Sequence, residues 1–88
     1  MRRQNSFAFT EFAEKKFRRM DRFVQERIRS KLRELKHHDD IGSVLKPLKH
    51  FQYGSHRLRI GQYRVIVKKI SECEYWVVDL GNRSDIYK

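Results

Sequence analysis

The stretch HRLRIGQYRVIV, residues His56 to Val67, limits what this chain can fold into more than any other. Gly61 and Gln62 separate two runs rich in β-branched and aromatic side chains, and glycine at the first central position suits a type II′ two-residue hairpin turn. So short a turn fixes the register. With Ile60 facing Tyr63, Arg59 faces Arg64, Leu58 faces Val65 and Arg57 faces Ile66. Alternation then puts Leu58, Ile60, Tyr63 and Val65 on one face, and Arg57, Arg59 and Arg64 on the other. The first face is core and the second a cationic cluster. Like charges directly opposite one another destabilise a sheet, so an anion that neutralises them explains the arrangement, and guanidinium forks match phosphate oxygens. The competing reading is a solvated face whose charge is offset by Asp79 or Glu74 on the following strand, since a turn near Ser71 and Glu72 brings Asp79 close to Arg64.

The remaining elements follow from periodicity. Ser6 to Phe9 is a short strand, after which Thr10 caps a helix with Phe12, Ala13, Phe17 and Met20 at helical spacing. Asp21 caps a second helix, whose stripe is Val24, Ile28, Leu32 and Leu35, with Arg22, Glu26, Arg29, Arg33 and Glu34 on the wet side. KHHDDIGS breaks that helix. Leu45, Pro47, Leu48 and Phe51 lead into strands over 53–60, 63–70 and 74–80. The expected fold is α+β: a small antiparallel, partly mixed sheet with an N-terminal helical hairpin packed on it, in the order β-α-α-β-β-β, forming one domain over residues 1–88. In the last strand Trp76, Val78 and Leu80 alternate toward the core, which makes Trp76 a packing residue; Tyr53, Tyr63 and Tyr75 are structural by the same default.

Charge narrows the partners. The 88 residues carry 21 Lys plus Arg against 11 Asp plus Glu, a formal charge of +10, which calls for an anionic partner such as nucleic acid, an acidic protein or a membrane surface. The single cysteine, Cys73, forms no internal disulfide, and no Cys/His set has zinc-ligand spacing, which points to a reducing cytoplasmic setting and a metal-free fold without cofactors. The apolar part of MRRQNSFAF is too short for a secretory signal, and no stretch approaches the roughly 20 apolar residues of a membrane span.

A basic helical hairpin, then RLRIGQYRVIV, then a strand closing on VVDLGNRSDIY, resembles the RelE/ParE superfamily of bacterial toxins from type II toxin-antitoxin pairs. The resemblance covers nearly the whole chain, and its most specific parts are YRVIV (Tyr63 to Val67) and GNRSDIY (Gly81 to Tyr87). In the RelE branch it implies cleavage of mRNA in the ribosomal A site. By position, Arg64 matches the arginine that holds the scissile phosphate, Arg83 a second arginine near the leaving group, and Tyr87 a near-terminal tyrosine that stacks on or orients the RNA. Arg57 and Arg59 occupy two basic positions that are lysines in the best-known RelE proteins. The implied partners are an acidic antitoxin, the ribosome and mRNA.

Cleaving RNA by its own 2′-hydroxyl needs that hydroxyl deprotonated, the phosphorane's charge stabilised and the leaving 5′-oxygen protonated. Arg57, Arg59, Arg64 and Arg83 suit the second need and serve the first poorly, because a guanidinium keeps its proton. Lys49, His50 and His56 are the nearby candidates for the base, although the register sets His56 on the core side. Asn82 stands where several relatives carry a histidine, and it cannot take up a proton. Two rival functions share the features so far. One is a ParE-type toxin that poisons DNA gyrase by protein contact, and the other a non-catalytic RNA-binding module for which the charge alone suffices.

Overall fold

The computed structural model describes residues 4–48 and 54–82. Strand β1 (Ser6–Phe9) leads into helices α1 (Glu11–Arg18) and α2 (Arg22–Lys36). A single 3-10 turn at Ile41–Ser43 follows, then strands β2 (Lys46–Pro47), β3 (His56–Ile60), β4 (Tyr63–Lys69) and β5 (Glu74–Asn82). The five strands form one mixed sheet in the order β1-β5-β4-β3-β2, with β1 parallel to β5 and the other pairs antiparallel. This is the expected α+β arrangement with one strand more, the two-residue β2.

Both helices lie on one face of the sheet. Thr10 Oγ1 accepts from the Ala13 N–H at 3.2 Å, satisfying one of the orphan donors at the start of α1. Asp21 precedes α2 but makes no side-chain cap bond. The turn between the helices is held instead by Gln25, whose Nε2 donates to the carbonyls of Met20 at 2.8 Å and Arg18 at 3.3 Å. All four stripe residues of α2 are buried, as are Ala13 and Phe17 of α1, and they meet Leu58, Ile60, Val65, Val67, Tyr75, Val77 and Leu80 of the sheet. Each such side chain contributes about 1.5–3 kcal/mol of burial. Phe12 departs from the expected seam: it is 60% exposed, because Ala13 and Phe17, four apart, define the buried stripe and leave Phe12 to one side.

The far end of α2 is tied to the N-terminal segment. Asn5 is buried, its backbone N–H donates to the Lys36 carbonyl, and its Nδ2 donates to those of Leu35 at 2.8 Å and His38 at 3.0 Å. One buried side chain thus binds two carbonyls at the end of the helix, that of Leu35 accepting also from the His38 N–H.

Strand β5 corrects the simple alternation. Ile66 faces Asp79 whereas Val67 faces Val77, so Val78 is an extra residue in a β-bulge. Upstream of the bulge Tyr75 and Val77 point to the core, and Leu80 does so beyond it. Trp76 is therefore not a core residue: it is 47% exposed on the face away from the helices, and Val78 is half-buried. Tyr75 and Tyr63 do pack with the core, while Tyr53 lies outside the described residues. No helix among the described residues is long and apolar enough to cross a membrane.

Candidate functional site

The hairpin register is the one its turn dictates. Ile60 pairs with Tyr63, Arg59 with Arg64, Leu58 with Val65 and Arg57 with Ile66. Gly61 has φ of 60°, the left-handed value the first central position of such a turn requires, and a Cβ there would meet Arg27 Nη2 at 3.0 Å. Conformation is what selects glycine here, since the Arg27 guanidinium is the tip of a flexible side chain and can shift.

Arg57, Arg59 and Arg64 share the face opposite the helices, but they differ in depth: Arg59 is exposed, Arg57 half-buried and Arg64 only 4% exposed. A solvated face does not describe Arg64. Its Nη1 donates to the Tyr63 carbonyl at 3.3 Å, and its buried Nε has no hydrogen-bond partner among the described residues. Its ladder neighbours are Arg59 on β3 and Gly81 on β5, so one neighbour repeats the charge and the other has no side chain. Burying a guanidinium costs several kcal/mol unless an anion or a full set of hydrogen bonds offsets it. Among the described residues no carboxylate pairs with this cation, and its Nε is left open to an acceptor.

Asp79 is not that acceptor. The bulge sets it across from Ile66, and its Oδ1 lies 2.7 Å from Lys16 Nζ of α1 and accepts from the Leu80 N–H at 2.8 Å. Glu74, at the opposite end of β5, pairs with Ser6. The expectation that Asp79 sits beside Arg64 fails because the β4–β5 turn is one residue longer than a Ser71–Glu72 turn and the bulge adds a second residue, so that Arg64 faces Gly81, and the helix provides Asp79 with its own cation.

His56 stands on the helix side of the sheet, opposite Val67, with Nδ1 2.9 Å from Ser55 Oγ. Burial, aided by the nearby Lys69 ammonium, lowers its pKa below the ordinary 6.5. The sheet separates it from Arg64, so its structural role stands. Arg83, Tyr87, Lys49 and His50 lie outside the described residues. His37 is exposed at the end of α2, and His38 Nδ1 accepts from the Asp40 N–H. Several cations of the helix faces are engaged in surface pairs, Lys15 with Glu11, Arg18 with Glu14 and Arg29 with Glu26.

Three residues of the same outer face escaped the sequence reading: Lys46, opposite Arg57; Lys68, on β4 in step with Arg64 and Ile66; and Trp76, opposite Lys68. Counting on by twos from Arg64 finds Lys68, whereas nothing in the sequence marks a two-residue strand at Lys46.

A family model described as the ParE toxin of type II toxin-antitoxin systems, parDE, matches residues 7–87. Three solved structures are similar in fold. The RelBE2 toxin-antitoxin complex of Mycobacterium tuberculosis has a TM-score of 0.75 at 17% identity, covering 91% of this chain and 99% of that one. The intact RelBE complex of E. coli gives 0.66 at 25% identity over 89% and 95% of the two chains. The isolated E. coli RelE toxin gives 0.68 at 24% identity over 94% and 90%. No curated protein matches the sequence significantly. With nearly its whole length matched and the same architecture throughout, the chain belongs to the ParE toxin family, within the RelE/ParE superfamily of type II toxin-antitoxin systems.

Proposed function

We propose that this toxin is a ribosome-dependent mRNA endoribonuclease that arrests translation in the cytoplasm and is neutralised by an acidic cognate antitoxin. The observation that carries this reading is Arg64, buried, with an Nε that has no hydrogen-bond partner among the described residues, and flanked by Arg59 and Gly81. A phosphodiester entering over Gly81 offers this guanidinium an anionic acceptor. In the reaction the 2′-hydroxyl oxygen attacks the adjacent phosphorus and loses its proton to a base. The phosphorane gains negative charge, and the bond to the 5′-oxygen breaks to leave a 2′,3′-cyclic phosphate and a protonated 5′-hydroxyl. Arg64 and Arg59 stabilise the equatorial oxygens, Arg57 holds the neighbouring backbone, Arg83 neutralises the leaving oxygen and Tyr87 orients the RNA. No metal is required for these steps. The ribosome contributes by presenting mRNA in a cleavable conformation, and Lys49 and His50, which carry titratable protons, are this chain's own candidates for the base.

The second reading, a gyrase inhibitor, draws on the ParE description of the matching family model. Two assays on one preparation separate the readings: cleavage of ribosome-bound mRNA, and supercoiling by purified gyrase. Cleavage with unaffected supercoiling supports the nuclease, and inhibited supercoiling with intact mRNA supports the gyrase poison.

A further inference from the structure

The outer sheet face does not end at Arg64. Along β4, Arg64, Ile66 and Lys68 share that face, and Lys68 pairs across the ladder with Trp76 on β5, whose other neighbour is Ala8 on β1. Lys46, Arg57, Arg59, Arg64 and Lys68 give this face five cations, and Glu74, two residues beyond Trp76, is exposed at its far end. Trp76 is 47% exposed, Lys68 is exposed, and Ala8 is too small to cover the indole from the β1 side. A core tryptophan would have been out of reach. The bulge at Val78 turns this one outward, onto the surface that carries the cations.

We infer that Trp76 is a stacking platform for a nucleobase of single-stranded RNA, and that Lys68 holds the adjoining phosphate, extending the Arg64 site along the strand. This rests on the RNA-cleaving reading and adds an RNA-binding contact to it. The four-residue step from Arg64 to Lys68 spans about 13 Å. At the 3.4 Å rise of a stacked strand, that is at most about four nucleotides from the scissile phosphate. An aromatic face bordered by a line of cations is the arrangement by which proteins bind single strands, because every base offers a π face and every linkage a charge. An acidic protein segment would also be drawn to the cations, but continuity with the buried Arg64 favours a strand that threads both.

Trp76 is the only tryptophan, so intrinsic fluorescence reports on it alone. The toxin is titrated with a 2′-O-methyl oligoribonucleotide, which has no 2′-hydroxyl to attack, and with an abasic strand of equal length. The expected result is quenching by the first and not by the second, weakened by added salt. In ribosomal cleavage, Trp76→Ala should raise KM roughly five- to tenfold, with kcat little changed and Trp76→Phe restoring most of the loss. Absent quenching, or equal quenching by the abasic strand, together with wild-type KM in Trp76→Ala, overturns the platform and leaves the nuclease reading intact. Base-dependent quenching by a wild-type protein that cuts no mRNA keeps the platform and removes the nuclease reading. Emission that responds to an acidic antitoxin peptide and not to RNA overturns the platform in favour of a protein-docking face.

Discussion

Arg59 stands directly across the β3–β4 ladder from Arg64, while on the β5 side Arg64 faces Gly81. No carboxylate occupies either ladder position beside the buried cation, and on the proposed reading a bound phosphate supplies the countercharge. Arg64→Met keeps much of the side-chain volume and removes the charge. Its stability should equal or exceed that of the wild type, by up to about 1–4 kcal/mol, as when other buried ions are replaced by apolar residues. mRNA cleavage should fall about 10²–10³-fold. Thermal unfolding in added sulfate provides the check: the wild-type midpoint should rise by ligand linkage beyond any rise seen in the variant. A variant that simply unfolds would mean that Arg64 serves the fold.

Gly61 sets the register that makes the pair. With φ of 60°, Gly61→Ala meets backbone strain, while the Arg27 guanidinium beside it can shift. A loss of about 1–2 kcal/mol is expected in urea titration, accompanied by reduced cleavage as Arg59 and Arg64 lose alignment. Wild-type stability in this variant would show that the turn tolerates a side chain.

Asn5 separates stability from activity. Its Nδ2 bonds to the Leu35 and His38 carbonyls lie far from the arginines in the chain and close the end of α2. Asn5→Ala should cost about 1–3 kcal/mol, at about 0.5–1.5 kcal/mol for each of the two hydrogen bonds lost. Cleavage per folded molecule, measured well below the midpoint, should not change.

His56 should make stability depend on pH. Its folded pKa lies below the ordinary 6.5, so as pH falls through that value the unfolded chain takes up the proton first. Stability is therefore fully present above 6.5 and declines as pH drops toward the folded pKa. Denaturation midpoints of His56→Gln should decline less than those of the wild type over the same interval, and parallel profiles would remove the proposed cause.

The hairpin was legible in the sequence because a two-residue turn leaves one register open, and the α2 stripe because Val24, Ile28, Leu32 and Leu35 keep strict helical spacing. Strand β5 was not, since Tyr75, Trp76, Val77, Val78 and Leu80 form an almost unbroken apolar run. Alternation cannot choose a face in such a run, and the bulge that decides it has no local signature. The longer β4–β5 turn and the same bulge together kept Asp79 from Arg64, and the helix that supplies Lys16 to Asp79 is distant in sequence. The depth of Arg64 was hidden for another reason: alternation tells which face a residue takes, not whether that face meets water. Arg57 and Arg59 were found on the expected face, whereas Arg83 and Tyr87 lie outside the described residues.

Primer extension on a reporter mRNA in a reconstituted translation reaction, with and without ribosomes, tests the central claim most directly when wild type is compared with Arg64→Met. New 5′ ends within A-site codons, formed only with ribosomes and absent with the variant, are the expected result. Intact mRNA from a protein that still arrests growth, or equal cleavage by Arg64→Met, would contradict it.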